Sequence, residues 1–111
     1  MTINPVVYEM NLTEIERALL ESTIEFWCAG SYQSRERLFS DMDRTVNLMS
    51  VAQQIKGGAI AIRISRYQAK ILAEVIFYMK SVMKPKTGDL YIPKDCDLYE
   101  MYTELTKVAK E

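Results

Sequence analysis

The sequence predicts a helix-rich α+β domain: a tandem β-α-α repeat with pseudo-twofold symmetry, two short antiparallel strands and four helices. One observation is that the stretch from Met10 to Trp27 recurs from Ile62 to Met79, at a shift of 52 residues, with apolar and hydroxyl residues in matching places. Another is that each stretch changes from an alternating apolar pattern to a helical one. The composition, 49% hydrophobic and 26% charged, is that of an ordinary globular domain.

The chain has 111 residues, which is enough for one domain with a modest core. We therefore expect a single domain over 1–111. Its first repeat unit covers 6–56 and its second covers 59–110, with a longer connector loop at 84–96.

Each unit opens with a short strand. Alternate residues of a strand share one face. The apolar residues at alternate positions are Tyr8, Met10 and Leu12 in the first unit and Ile60, Ile62 and Ile64 in the second. We expect these two strands to pair antiparallel about the pseudo-twofold axis, with the helices supplying most of the core.

A hydroxyl residue precedes the first helix of each unit. Thr13 and Ser65 are equivalent in the repeat, and each can accept a hydrogen bond from the first turn of the helix that follows. The large apolar positions of the two helices then correspond. They are Ile15, Leu19, Leu20, Ile24, Phe26 and Trp27 in the first helix, and Tyr67, Ile71, Leu72, Ile76, Tyr78 and Met79 in the third.

The sequence also predicts a second helix in each unit. Ser34 is a candidate N-cap for one that ends at Gly57-Gly58 and carries the apolar face Leu38, Met42, Val46, Met49 and Ile55. In the second unit, Asp97 with Glu100 three residues later predicts the start of the second helix. The apolar face of that helix consists of Leu98, Met101, Tyr102, Leu105 and Val108. The alternative to a true repeat is that unrelated strand-helix units share such caps and periods.

The residue types for common enzyme chemistry are missing. The chain has no histidine, which removes the usual general base, and it has no glycine-rich phosphate loop. The row Glu14, Glu21 and Glu25 is typical of a solvated helix face. Cys28 and Cys96 lie far apart, which favours thiols over a metal site or a disulfide. We expect a protein that is not an enzyme and has no cofactor or metal.

No stretch of the sequence is long and apolar enough for a membrane helix, and the N-terminus lacks the pattern of a signal peptide. We expect a cytoplasmic protein.

The charges are unevenly distributed although the net charge is −1. Residues 56–86 hold seven basic residues against the single acid Glu74, and the segments on both sides are acidic. On a helical wheel Arg66, Lys70 and Lys84 gather on one side of the third helix with Lys80 beside them, which predicts a basic stripe.

Three interpretations of the basic stripe remain open. It could be a solvated face that pairs with acidic segments of the same chain or of a symmetry-related copy. It could bind an acidic protein partner. It could bind a nucleotide-like anion or single-stranded nucleic acid, with Tyr67 or Tyr91 stacking on a base. Duplex DNA is disfavoured by the pI of about 5.5.

Two further features bear on binding. Phe77 falls within the basic stripe, which predicts either burial against a neighbouring segment or an aromatic anchor in an interface. The connector contains two prolines and the turn signal Thr87-Gly88-Asp89, and its "DLYIP" stretch is either a third strand or strap over the core, or a binding loop.

We therefore predict a small accessory protein that binds an unidentified protein partner, as an inhibitor or adaptor, through the third helix and the following loop, and that forms a homodimer or higher homo-oligomer. The alternatives are a sequestering protein for a nucleotide-like anion, of the anti-defence type, and a single-stranded nucleic-acid binder. The candidate binding residues are Arg63, Arg66, Tyr67, Lys70, Phe77, Lys80, Lys84 and Tyr91. The opening strand, the Leu12-Thr13-Glu14 cap and the helix after it resemble small phage- and plasmid-borne bacterial proteins, without identifying a family.

Overall fold

The computed structural model describes residues 7–31 and 38–110 and confirms a helix-rich α+β fold. The elements in chain order are β1 (Val7–Asn11), α1 (Glu14–Ser31), α2 (Leu38–Lys56), β2 (Ala61–Ser65), α3 (Arg66–Lys80), β3 (Val82–Met83), β4 (Leu90–Tyr91) and α4 (Tyr99–Lys110). The predicted four helices and the predicted antiparallel pair, β1 with β2, are present. A second antiparallel pair, β3 with β4, forms a hairpin inside the connector.

The register of β1 and β2 places one pair of equivalent positions of the two units opposite each other. Met10 lies directly opposite Ile62, and Tyr8 lies opposite Ile64. Because Met10 and Ile62 are also equivalent in the sequence repeat, this register is the one that a twofold axis through that pair requires. Superposition of the two complete halves stays a prediction.

One predicted strand residue differs in the structure. Ile62 and Ile64 are buried as expected, but Ile60 is 67% exposed because β2 begins one residue later, at Ala61. The backbone carbonyl of Ile60 still accepts a hydrogen bond from the Leu12 N–H at 3.2 Å. Residue 60 therefore contributes to the pairing through its backbone and not to the core through its side chain.

Reciprocal hydrogen bonds close the first turn of α1 and of α3. The Glu16 N–H donates to the Thr13 hydroxyl at 3.1 Å, while the Thr13 N–H donates to the Glu16 carboxylate at 3.0 Å. Ser65 and Gln68 form the same capping box, with distances of 3.1 and 2.9 Å. Both predicted N-caps are confirmed. The predicted cap Ser34 lies outside the described residues.

Replacing Ser65 by alanine is expected to lower the free energy of unfolding by about 1 kcal/mol, because the Gln68 N–H loses its acceptor. Ser50→Ala is the matched control, since Ser50 is exposed within α2 and its change should stay within about 0.5 kcal/mol. Urea denaturation followed by circular dichroism measures both. Equal losses for the two variants would contradict the capping role.

Helix α2 ends where the sequence predicts, but the face that it buries differs from the predicted one. Gly58 has φ of 88°, its N–H bonds to the Ile55 carbonyl, and the Ala59 N–H bonds to the Gln54 carbonyl, which is a Schellman motif. Of the predicted apolar face, Ile55 is buried, but Met42, Val46 and Met49 are exposed, and the side chain of Leu38 lies outside the described ones. The residues that α2 buries are Leu48, Val51, Ala52 and Ile55. The helix carries two apolar stripes, and the second packs inward.

The core lies between β1–β2 and the helices. The largest fully buried side chains include Leu20 and Ile24 of α1 and Leu72 and Ile76 of α3. In α4 the predicted apolar face is confirmed, with Met101, Leu105 and Val108 buried and Tyr102 partly buried. The helix begins at Tyr99, two residues after the predicted cap Asp97.

None of the described helices is both long enough and apolar enough to cross a lipid bilayer.

Candidate partner-binding surface

The predicted binding residues lie at the two ends of α3. Arg63, Arg66, Tyr67 and Lys70 are at its N-terminal end, and Lys80, Lys84 and Tyr91 are at its C-terminal end. Arg66 and Lys80 are the first and last residues of the helix, and at 1.5 Å per residue they are separated by about 21 Å. The structure therefore divides the predicted site into two separate clusters.

The N-terminal end of α3 is joined to α2 by polar contacts. The Tyr67 hydroxyl donates to the Asp43 carboxylate at 2.6 Å, and the Gln68 side-chain amide donates to Asn47 Oδ1 at 3.3 Å. The hydrogen bond to Asp43 raises the pKa of the Tyr67 hydroxyl, and the loss of surrounding water and the Asp43 charge act in the same direction. The position of Tyr67 is thus set by a contact within the chain.

Arg63 lies on the outer edge of β2, where its backbone is bound by a side chain of α2. The Arg63 N–H donates to Gln54 Oε1 at 2.7 Å, and Gln54 Nε2 donates to the Arg63 carbonyl at 2.8 Å. The arginine side chain lines a shallow depression of about 580 Å³ with Val7, Glu9, Ile64, Ser65 and Gln68. Since Glu9 lies directly opposite Arg63 in the strand pair, this depression carries both signs of charge.

The single acid of the basic stripe is paired with a cation. Glu74 Oε2 lies 3.3 Å from Arg44 Nη2 of α2. Within the described part of the chain Lys70, Lys80 and Lys84 are exposed and form no ion pair with a carboxylate. Among the described residues, no carboxylate of the same chain neutralises these three lysines.

Lys84 is not on α3, contrary to the helical wheel. The helix ends at Lys80, and Ser81 is already extended, with φ of −70° and ψ of 148°. Pro85 also disfavours a helical conformation at the residue before it. Lys84 instead begins the turn of the hairpin, where its ammonium lies 5.5 Å from the centre of the Tyr91 ring in a cation–π contact.

The β3–β4 hairpin, residues 82–91, has two short strands with large apolar side chains that are all exposed. They are Val82, Met83, Leu90 and Tyr91. The turn is closed by the Lys84 N–H, which donates to the Asp89 carbonyl at 2.8 Å, and Gly88 supplies a positive φ of 74°. Beyond the hairpin Ile92 is buried, which anchors the end of the connector on the core. The first alternative for "DLYIP", a strand or a strap over the core, describes parts of it, and the binding loop stays a prediction.

Phe77 packs inside the molecule. Its ring is half-buried against the core and stacks on Tyr102 of α4, with ring centres 6.2 Å apart and planes at 28°. This is the burial against an adjacent helix that the sequence offered as one of two interpretations. The neighbouring Tyr78 is 70% exposed and is therefore better placed to contact a partner.

Sequence reasoning missed Val82 and Leu90 as surface residues. A signal was present, since two short apolar pairs flank a turn that contains Gly88. The pairs were too short to distinguish a hairpin from an extension of α3.

Neither cysteine forms a disulfide, as expected. Cys28 is buried, and burial together with the nearby Glu25 carboxylate raises the pKa of its thiol. Cys96 is partly exposed. A raised pKa keeps the Cys28 thiol protonated at neutral pH, which does not favour a role as a nucleophile.

No protein-family model, no curated protein and no solved structure matches this chain.

Proposed function

We propose that the protein acts by binding an acidic protein partner, as an inhibitor or adaptor, through the hairpin and the C-terminal end of α3. The observation that carries the proposal is the hairpin itself, where four apolar side chains are exposed and where Lys84 and Lys86 lie in the turn, with Lys80 just before the first strand. Apolar side chains at the centre of a surface with charges around them are typical of protein-binding sites.

The lysines and the apolar residues would have different tasks. Lysines exposed to solvent raise the association rate with an acidic partner and are screened by salt. Met83, at 64% exposure, offers a flexible side chain that adapts to the shape of a partner. Loss of water from the apolar side chains would supply most of the affinity.

The separation of the two clusters supports a protein over a small anion. A mononucleotide is too short to contact both Arg66 and Lys84 across the length of α3. At the Arg66 end Tyr67 is bound to Asp43, whose carboxylate would repel a phosphate.

The expected result is that the wild-type protein captures an acidic protein from bacterial lysate and that Met83→Ala with Leu90→Ala reduces the capture at least about tenfold. Met49→Ala is the matched control, because Met49 is exposed on α2 outside the proposed surface. Capture should fall as salt is raised.

The result that would overturn the proposal is a tight, stoichiometric small ligand abolished by Arg66→Ala. Calorimetry with nucleotides, cyclic dinucleotides and single-stranded oligonucleotides tests for it. Capture that is unchanged in the hairpin variant would also count against the assigned surface.

A further inference from the structure

We infer that the hairpin of one chain docks on the outward face of α1 in a second copy of the same chain, and that two such contacts, one in each direction, close a twofold dimer. The inference rests on the proposed function, since it assigns a partner to the hairpin surface. The outward face of α1 consists of Ile15, Ala18, Ser22, Phe26 and Ala29.

The outward face of α1 is exposed and almost free of charge. Its residues follow one another at three- and four-residue spacing, so they form one stripe about 21 Å long. Ile15 is 71% exposed and Phe26 is 69% exposed. A solvent-facing helix stripe is normally polar or charged, so an apolar one indicates a surface that is covered in the working state of the protein.

The equivalent face of α3 provides an internal comparison. At the repeat shift Ile15, Ala18, Ser22 and Phe26 correspond to Tyr67, Lys70, Glu74 and Tyr78. That face is polar, and α2 contacts it twice, through the Asp43–Tyr67 hydrogen bond and the Arg44–Glu74 ion pair. This helix face is therefore polar and in contact with α2 in the second unit, whereas it is apolar and exposed in the first.

The hairpin lies between α3 and α4, in the connector of the second unit. Its four apolar side chains and the apolar stripe of α1 are both exposed within a single chain, so neither covers the other there. A second copy brings the two surfaces together without any new partner.

The charges of the two surfaces are complementary. Helix α1 holds four acids against one base, and Glu14, Glu21 and Glu25 lie along one side of the apolar stripe. Glu25 is bound to Lys56 at 2.9 Å, whereas Glu14 is exposed and forms no ion pair within the described residues. The hairpin contributes Lys84 and Lys86, with Lys80 at its base. Opposite charges at the rim would set the orientation of the contact.

A charge-exchange experiment tests the contact. Sedimentation velocity at tens of micromolar protein and low salt should show a dimer for the wild type. The hairpin variant Lys84→Glu with Lys86→Glu and the helix variant Glu14→Lys with Glu21→Lys should each dissociate, with a dimer dissociation constant at least about tenfold higher. Mixed in equal amounts, the two variants should form a one-to-one heterodimer, because both contacts regain opposite charges.

The matched control is Glu100→Lys with Glu104→Lys on α4. Glu100, like Glu14, is an acid in the first turn of its helix, so the control reproduces the effect of the reversal on the helix dipole. It should leave the dimer intact. Circular dichroism confirms that each variant is folded.

A strictly monomeric wild type, a control that dissociates as readily as the helix variant, or a mixture that stays monomeric would each overturn the inference. Failure here is distinguishable from failure of the proposed function, because a monomer that still captures an acidic protein through Met83 and Leu90 retains that function with a different partner.

Discussion

Replacing Ile62 by alanine should lower the free energy of unfolding by about 4 kcal/mol, which is the largest effect we expect from any single substitution. The side chain is fully buried at the centre of the β1–β2 pair, opposite Met10. Alanine removes three carbons and leaves a cavity between strands and helices that already have tight packing. For a domain of this size such a loss corresponds to a fall in Tm of roughly 15 °C.

Ile60→Ala is the control for that substitution. It makes the same chemical change two residues earlier, at a side chain that is 67% exposed, and should alter the free energy of unfolding by no more than about 0.5 kcal/mol. Urea denaturation can be followed by the fluorescence of Trp27, the single tryptophan. Similar losses for both variants would mean that the burial of these two side chains, Ile62 within β2 and Ile60 before it, is assigned incorrectly.

Phe77→Ala should cost about 2 kcal/mol of stability. Replacing a fully buried phenylalanine by alanine costs about 3 to 5 kcal/mol of stability. The cost is smaller for Phe77 because its ring is only half-buried. The stacking contact with Tyr102 is lost as well, and we expect a double-mutant cycle between the two residues to give a coupling of about 0.5 to 1.5 kcal/mol.

The adjacent residue distinguishes packing from partner binding. Tyr78→Ala removes an aromatic ring of similar size that is 70% exposed, and it should leave stability nearly unchanged. If Phe77→Ala instead kept full stability and abolished partner capture, Phe77 would be the interface anchor that the helical wheel suggested, and its packing against α4 would be secondary.

Local chemistry explains what could be predicted from the sequence. Thr13 and Ser65 cap helices because a hydroxyl beside a first turn satisfies an N–H group within a few residues. The β1–β2 pairing followed from the alternation of Met10 and Ile62 with polar neighbours, and the turn at Gly58 followed from its freedom to adopt positive φ. The caps and the turn depend on neighbours in the chain, and the pairing was inferred from an alternation that is visible within each strand.

The buried face of α2 could not be predicted in the same way. Met42, Val46 and Met49 form one apolar stripe, and Leu48, Val51 and Ile55 form another on a different side of the helix. Periodicity shows that both stripes exist, but which one is buried depends on where α1, α3 and β2 lie around the helix. The same limit applies to Phe77, whose position was known on the wheel but whose neighbour Tyr102 is 25 residues further along the chain.

By itself the sequence determined the helix-rich α+β class, the strand pairing, both confirmed N-caps and the excess of positive charge around α3, because each arises from residue order, composition or contacts within one turn. The tertiary structure decided where the charge is presented. It ended α3 at Lys80, placed Arg66 and Lys84 in separate clusters, engaged Tyr67 with Asp43 and left the hairpin and the outward face of α1 exposed. These outcomes depend on which elements compete to pack against one another, and that competition is settled by contacts between residues far apart in the chain.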